Sequence, residues 1–188
     1  MITSFVLGNG VSRESVDLDS LKKYGKIYGC NALYRSFAPD VLIATDPGIS
    51  AEIQQSGYAL KNVFYTRKPL PNLGAEPIKY HYGYSSGPVA LAYASHSDAE
   101  LIYMLGFDLA GIKGKFNNIY ANTTYYKKTN DAETFYGNWV DQITHITKAN
   151  SQRQYIRVIG QNGVIPAAFN QIKNLSHVPV DQFCSSYK

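Results

Sequence analysis

The sequence predicts an α/β fold, doubly wound around a mostly parallel sheet. Three observations lead there. Apolar runs of strand length, such as Phe5–Leu7, Val41–Ala44 and Leu101–Leu105, alternate with segments of helical spacing. Each run stops at small or polar residues: Gly8-Asn9-Gly10, Thr45-Asp46-Pro47 and Gly106-Phe107-Asp108. The 188 residues hold no internal repeat and no low-complexity tract, and that length supports one core without disulfides or metals, so residues 1–188 read as a single domain. Alternation of this kind is the pattern of a Rossmann-like sheet, in which ligands sit beyond the carboxyl ends of the strands.

The first strand, from Ile2 to Leu7, breaks at Gly8-Asn9-Gly10 and re-enters as a helix after Ser12, with apolar spacing at Val16, Leu18 and Leu21. The N–H groups at such a helix start suit a phosphate or another anion. Glycine allows positive φ or a close backbone approach to a ligand, and asparagine tolerates the left-handed region. The dinucleotide fingerprint G-x-G-x-x-G is half present, with Arg13 where its third glycine belongs. On its own the turn fits a plain strand-to-helix connection equally well.

Lys26–Gly29 reads as a strand, and Cys30–Arg35 as another ending at a loop. Pro39 opens the strand Val41–Ala44, after which Asp46 precedes Pro47 at a helix start backed by Ile49 and Ile53. The Asp46 carboxylate is a helix cap or a ligand group. Asn62–Tyr65 is a fourth strand. Residues 66–84 carry three prolines together with Tyr80, His81, Tyr82 and Tyr84, an irregular connection with one short strand. Ser85-Ser86-Gly87-Pro88 then opens a helix over Val89–Ala94, with Ser86 as its cap.

Leu101–Leu105 is the fifth strand. Residues 109–131 are polar, rich in Gly and Asn, and too long for a plain connection, so they read as a lid-like insertion. Ala132–Ala149 has helical spacing at Phe135, Trp139, Ile143 and Ile146. Tyr155–Ile159 is a last strand and Ile165–Leu175 a last helix; beyond His177 no pattern emerges.

Composition narrows the function. A net charge of +4 without a basic stripe speaks against nucleic-acid binding. No apolar run reaches membrane-spanning length, and Cys30 and Cys184 lack metal spacing, so a cytoplasmic protein with two free thiols is expected. No pair among His81, His96, His145 and His177 has metal-ligand spacing. The sixteen tyrosines offer stacking faces and hydroxyls. Nothing sets the oligomeric state, and a homo-oligomer is compatible with the chain.

Four blocks, in order, resemble the bacterial sialyltransferases of glycosyltransferase family 42 and the wider group similar to the archaeal pterin pyrophosphokinase. Leu7-Gly8-Asn9-Gly10-Val11-Ser12 is similar to the family's G-N-G-P-S, and Gly29-Cys30-Asn31-Ala32-Leu33-Tyr34 to R-C-N-x-F-Y. Ser85-Ser86-Gly87-Pro88 is similar to T-S-G-V, and Leu101–Leu109 to the strand ending in G-x-D-F. Asn118-Ile119-Tyr120-Ala121 resembles a lid segment. The compact length resembles minimal, phage-encoded members.

That resemblance implies a nucleotide site. Gly8, Asn9, Gly10 and Asn31 would contact CMP, with Ser12 closing the first block. Ser85, Ser86, Gly87, Gly106 and Asp108 would line the nucleotide, and Tyr120 would meet the departing phosphate. The family's second lid tyrosine falls near Ala110. Asn138 stands where the family has its general-base histidine, and asparagine takes no proton at neutral pH. His81 is then the expected base, with Asp46 as the alternative. The favoured reading is glycosyl transfer from a CMP-sugar-like donor, with no cofactor required. The alternatives are a pyrophosphokinase-like enzyme, with Mg²⁺ on Asp46 and Asp108, and a non-catalytic protein that sequesters or senses a nucleotide.

Overall fold

Alternation along β1 (Thr3–Leu7) sends Phe5 and Leu7 into one core cluster and Val6 into another, and all three are fully buried. A strand apolar on both faces needs a covering layer on each. In a computed structural model describing residues 1–187, β1 lies inside an eight-stranded sheet. It pairs on one side with β2 (Lys26–Cys30) and on the other with β6 (Leu101–Leu105). From β2 the sheet runs outward through β3 (Val41–Ala44), β4 (Phe64–Thr66) and the short β5 (Glu76–Pro77). From β6 it runs through β7 (Gln154–Ile159) to β8 (Leu175–Pro179).

Every pairing is parallel. The order β5-β4-β3-β2-β1-β6-β7-β8 places the reversal of winding between β1 and β6. Helices α3 (Ser86–Ser95) and α4 (Gly137–Ala149) cover the face holding Val6. Helices α1 (Leu18–Leu21), α2 (Pro47–Gln55) and α5 (Val180–Ser186) cover the face holding Phe5 and Leu7. All residues of α3 are buried, as suits a helix of small and apolar residues wedged between sheet and α4. No helix among the described residues is long and apolar enough to cross a membrane.

Several local expectations are corrected. Cys30–Arg35 is not a strand: β2 ends at Cys30, Asn31 adopts a φ of 54°, and a 3-10 turn follows to Arg35. The first helix is reduced to α1, because Asp17 accepts the Asp19 and Ser20 N–H groups and caps it there. Helix α4 starts at Gly137, since Ala132 is bridged to Lys115 within the insertion. Ile165–Leu175 holds only a 3-10 turn, Ala167–Gln171, before Leu175 joins the edge strand β8. The stretch past His177 carries α5, whose Phe183 packs on Phe5, Tyr103 and Tyr187. Glu76–Pro77 pairs with β4, so the insertion follows the sixth strand.

The ends of β1 and β6 meet closely. A Cβ on Gly8 would lie 2.6 Å from the Gly106 carbonyl oxygen, and one on Gly10 would lie 2.5 Å from an Asp108 carboxylate oxygen. Gly10 itself has ordinary extended backbone, φ −65° and ψ 147°. Gly10→Ala is therefore expected to cost about 1–3 kcal/mol by overpacking alone. Urea unfolding should show a lower midpoint with an unchanged slope. A midpoint equal to that of the unsubstituted protein would mean the two turns part without cost.

Candidate active site

At the carboxyl ends of β1, β2, β3 and β6 lies a cleft of about 230 Å³. Asn9, Gly10, Asn31, Asp46, Gly106 and Asp108 border it, from four separate segments of the chain. The insertion forms its opposite wall with Phe116, Asn117, Asn118, Tyr125, Tyr126 and Lys127, and Tyr136 and Trp139 close it beside α4.

The turn after β1 is held from within. Gly8 N–H donates to the Leu105 carbonyl, Gly10 N–H to the Gly106 carbonyl, and Val11 N–H to Asn117 Oδ1 at 3.0 Å. Ser12 donates through both N–H and Oγ to the Asp108 carboxylate, which also accepts from Asn117 Nδ2. Here the absent side chains at Gly8 and Gly10 admit the neighbouring turn of the protein itself. Asn9 is buried; its amide donates to the Cys30 carbonyl and accepts from Arg13 Nη2. Arg13 also donates Nε to the Gly8 carbonyl at 2.6 Å.

On the far side, Arg157 is fully buried and donates to the carbonyls of Phe107, Asp108 and Val164. Burial pulls its pKa down to about 10 against the opposing pull of Asp108. Among the described residues neither arginine has an ion-pair partner within 4 Å. Sequence reasoning missed both. Arg157 left one signal, a charge inside the apolar run Tyr155–Ile159, and Arg13 left another by standing in the third glycine's place.

The remaining predicted residues fall into distinct places. Asn31 lines the cleft in a left-handed conformation, and its Oδ1 is buried without a hydrogen-bond partner. Asp46 caps α2 through its backbone only; its exposed carboxylate has no hydrogen bond among the described residues. Ser86 is buried below the cleft, tied by Oγ to Thr45 N–H and Oγ1. Ser85 exchanges hydrogen bonds with Gln142, and Gly87 abuts the Phe107 ring. His81 lies outside the cleft, exposed and stacked on Tyr84 at 4.3 Å between ring centroids. Asn138 is exposed at the start of α4 and does not line the cleft.

Tyr120 turns away: its ring is buried in the core and its hydroxyl meets Ser36. Tyr125 and Tyr126 face the cleft instead. Tyr126 accepts from Ala32 N–H, and burial drives its pKa well up, so the phenol keeps its proton. Burial likewise pushes the Cys30 thiol up to about 12, which leaves no thiolate nucleophile there. Tyr136 is raised to about 12 by burial, then by Asp108 and Glu133. Among the described residues no group of three or more His, Cys, Asp or Glu side chains could hold a metal ion.

The chain matches no protein-family model, no curated protein and no solved structure.

The insertion is stitched to the body. Ile119 N–H donates to the Asn9 carbonyl, and Arg35 reaches Thr123 Oγ1 and the Thr124 carbonyl while pairing with Glu52 on α2. Burial pushes the Glu52 carboxyl up, but hydrogen bonds from Tyr34 and Arg35 and the charge of Arg35 outweigh it and hold the pKa below its ordinary value. Such a group stabilises the fold above its ordinary pKa, and the contribution is lost as pH falls through the lowered one. Amide exchange at residues 123–126, corrected for intrinsic rate, should therefore accelerate on going from neutral pH to about pH 3. Protection that persists unchanged at the acid end would assign the anchoring to other contacts.

Proposed function

We propose that this cleft binds a nucleotide or nucleotide-sugar and that the protein transfers the glycosyl group of a CMP-sugar-like donor. The observation that carries the reading is convergence. Asn9, Gly10, Asn31, Asp46, Gly106 and Asp108 border one cavity at the point where the winding of the sheet reverses. Two buried guanidinium groups, with no ion-pair partner among the described residues, brace the turns beside that point. Tyr125, Tyr136 and Trp139 add ring faces, and Lys127 adds a cation.

In the proposed reaction the acceptor hydroxyl oxygen bonds to the anomeric carbon as the bond from that carbon to the phosphate oxygen breaks. CMP departs with the electron pair, and the hydroxyl proton passes to a carboxylate. Asp46 is assigned that task because Asp108 is engaged by Ser12 and Asn117, His81 lies outside the cleft, and Asn138 is no base. Tyr126, still protonated, is assigned the hydrogen bond to the departing phosphate that the resemblance gave to Tyr120.

Calorimetry should show saturable CMP binding without Mg²⁺, weakened by about 1–3 kcal/mol in Asn31→Ala. Asp46→Asn should keep CMP affinity and abolish CMP release from a CMP-sugar. Turnover by Asp46→Asn at the unsubstituted rate would remove Asp46 from the mechanism. Magnesium-dependent formation of AMP from ATP would favour the pyrophosphokinase-like reading, and binding without turnover a sequestering or sensing protein.

A further inference from the structure

A second and larger cavity, of about 470 Å³, opens beyond the ends of β1, β6 and β7. Asp108 and Asn117 belong to the walls of both cavities, so the two meet at this pair. The second cavity holds segments that the first does not touch, notably the turn Gly160-Gln161-Asn162-Gly163 after β7. That turn is closed by a hydrogen bond from Gly163 N–H to the Gly160 carbonyl. We infer that this cavity is the nucleoside subsite, taking an uncharged planar base and presenting its ribose to Asp108. The inference rests on the nucleotide reading above and divides the ligand between the two cavities.

Three properties of the lining argue for that occupant. Val11, Ile112, Ile159 and Val164 supply aliphatic contacts for the faces of a ring. Gln161 and Asn162 supply neutral amides, each offering both donors and an acceptor to a base edge. The charges are committed elsewhere. Arg157 is fully buried with Nε, Nη1 and Nη2 all donating to carbonyls, the Asp108 carboxylate is engaged by Ser12 and Asn117, and Lys113 stands exposed on the wall. A phosphate in this cavity would meet mostly aliphatic surface. In the neighbouring cleft it meets Lys127, Asn31 and the Tyr126 hydroxyl.

Asp108 supplies the link. A carboxylate offers about four lone-pair sites. Ser12 N–H and Asn117 Nδ2 occupy Oδ2, and Ser12 Oγ occupies one site of Oδ1. One site of Oδ1 remains for a ligand hydroxyl. Its backbone is fixed as well, since the Asp108 carbonyl accepts from Arg157 Nη2 at 2.9 Å. Arg157 is thus a positioning residue for Asp108.

Free cytidine, uridine, adenosine and guanosine separate the base subsite from the phosphate subsite, because none carries a phosphate. At least one should bind by calorimetry and shift the ¹⁵N–¹H resonances of Gly160 and Gly163 saturably. Val164→Trp fills the cavity from a half-exposed position whose carbonyl, not its side chain, accepts from Arg157 Nη1. It should lower nucleoside affinity by about tenfold or more, and Asn162→Ala should change the preference among bases. Far-ultraviolet circular dichroism would confirm that both variants fold. If CMP binds and Val164→Trp binds it like the unsubstituted protein, the inference falls and the nucleotide reading stands. Resonance shifts confined to Asn31, Tyr125 and Tyr126 would likewise put the base in the other cleft. If neither nucleosides nor nucleotides bind, both readings fall together.

Discussion

Gly8 and Gly106 face each other across the junction of β1 and β6 so closely that neither could carry a side chain without meeting the other's carbonyl. Most of the functional edge depends on that contact. Two parallel strands that wind away in opposite directions leave a crevice at their ends. In this chain the crevice is narrowed until the two turns share hydrogen bonds. Arg13 holds the Gly8 carbonyl, Arg157 holds those of Phe107 and Asp108, and Ser12 reaches across to the Asp108 carboxylate. Two guanidinium groups here act as backbone clamps. Each satisfies carbonyls that strand pairing leaves free, and removing either would strand those acceptors in a buried place.

The layout of the sheet was legible because its cause is local. Alternate burial at Phe5, Val6 and Leu7 is written in three consecutive residues, and each strand end is marked by glycine, asparagine or aspartate. Six of the expected residues meet at one cleft for the same reason: topology brings strand ends together whatever fills the space between. Asn31 kept its marker too, being a residue type that tolerates the left-handed region.

What stayed hidden depends on partners distant in sequence. Tyr120 and Tyr126 look alike in the chain, and only Ser36 and Ala32 decide which hydroxyl turns to the core and which ring to the cleft. Arginine is ordinarily a surface residue, so the one local mark of Arg13, its place where a third glycine belongs, gave no hint that it is buried against Gly8 and Asn9. Strand β5 has two residues, and β8 begins where Ile165–Leu175 carries helical spacing. Both are fixed by the neighbour they pair with more than by their own pattern. The insertion was recognised by length and composition, while its attachment to Asn9, Val11 and Ala32 could be seen only in three dimensions.

The turn at residues 8–12 is made well before its hydrogen-bond partners Gly106, Asp108 and Asn117. At about 5–20 residues per second, the ribosome needs roughly 5–20 s to reach Asn117 after Arg13. Until β6 is made the apolar strand Phe5–Leu7 has only β2 to pair with, and the N–H groups of Ser12 and Val11 wait for Asp108 and Asn117 in turn. The completed edge is thus finished after the strands it joins, and a nascent chain stalled just before residue 117 would hold six of the eight strands with the cleft still open. Any chaperone that shields the growing chain would have to cover this turn until those partners emerge.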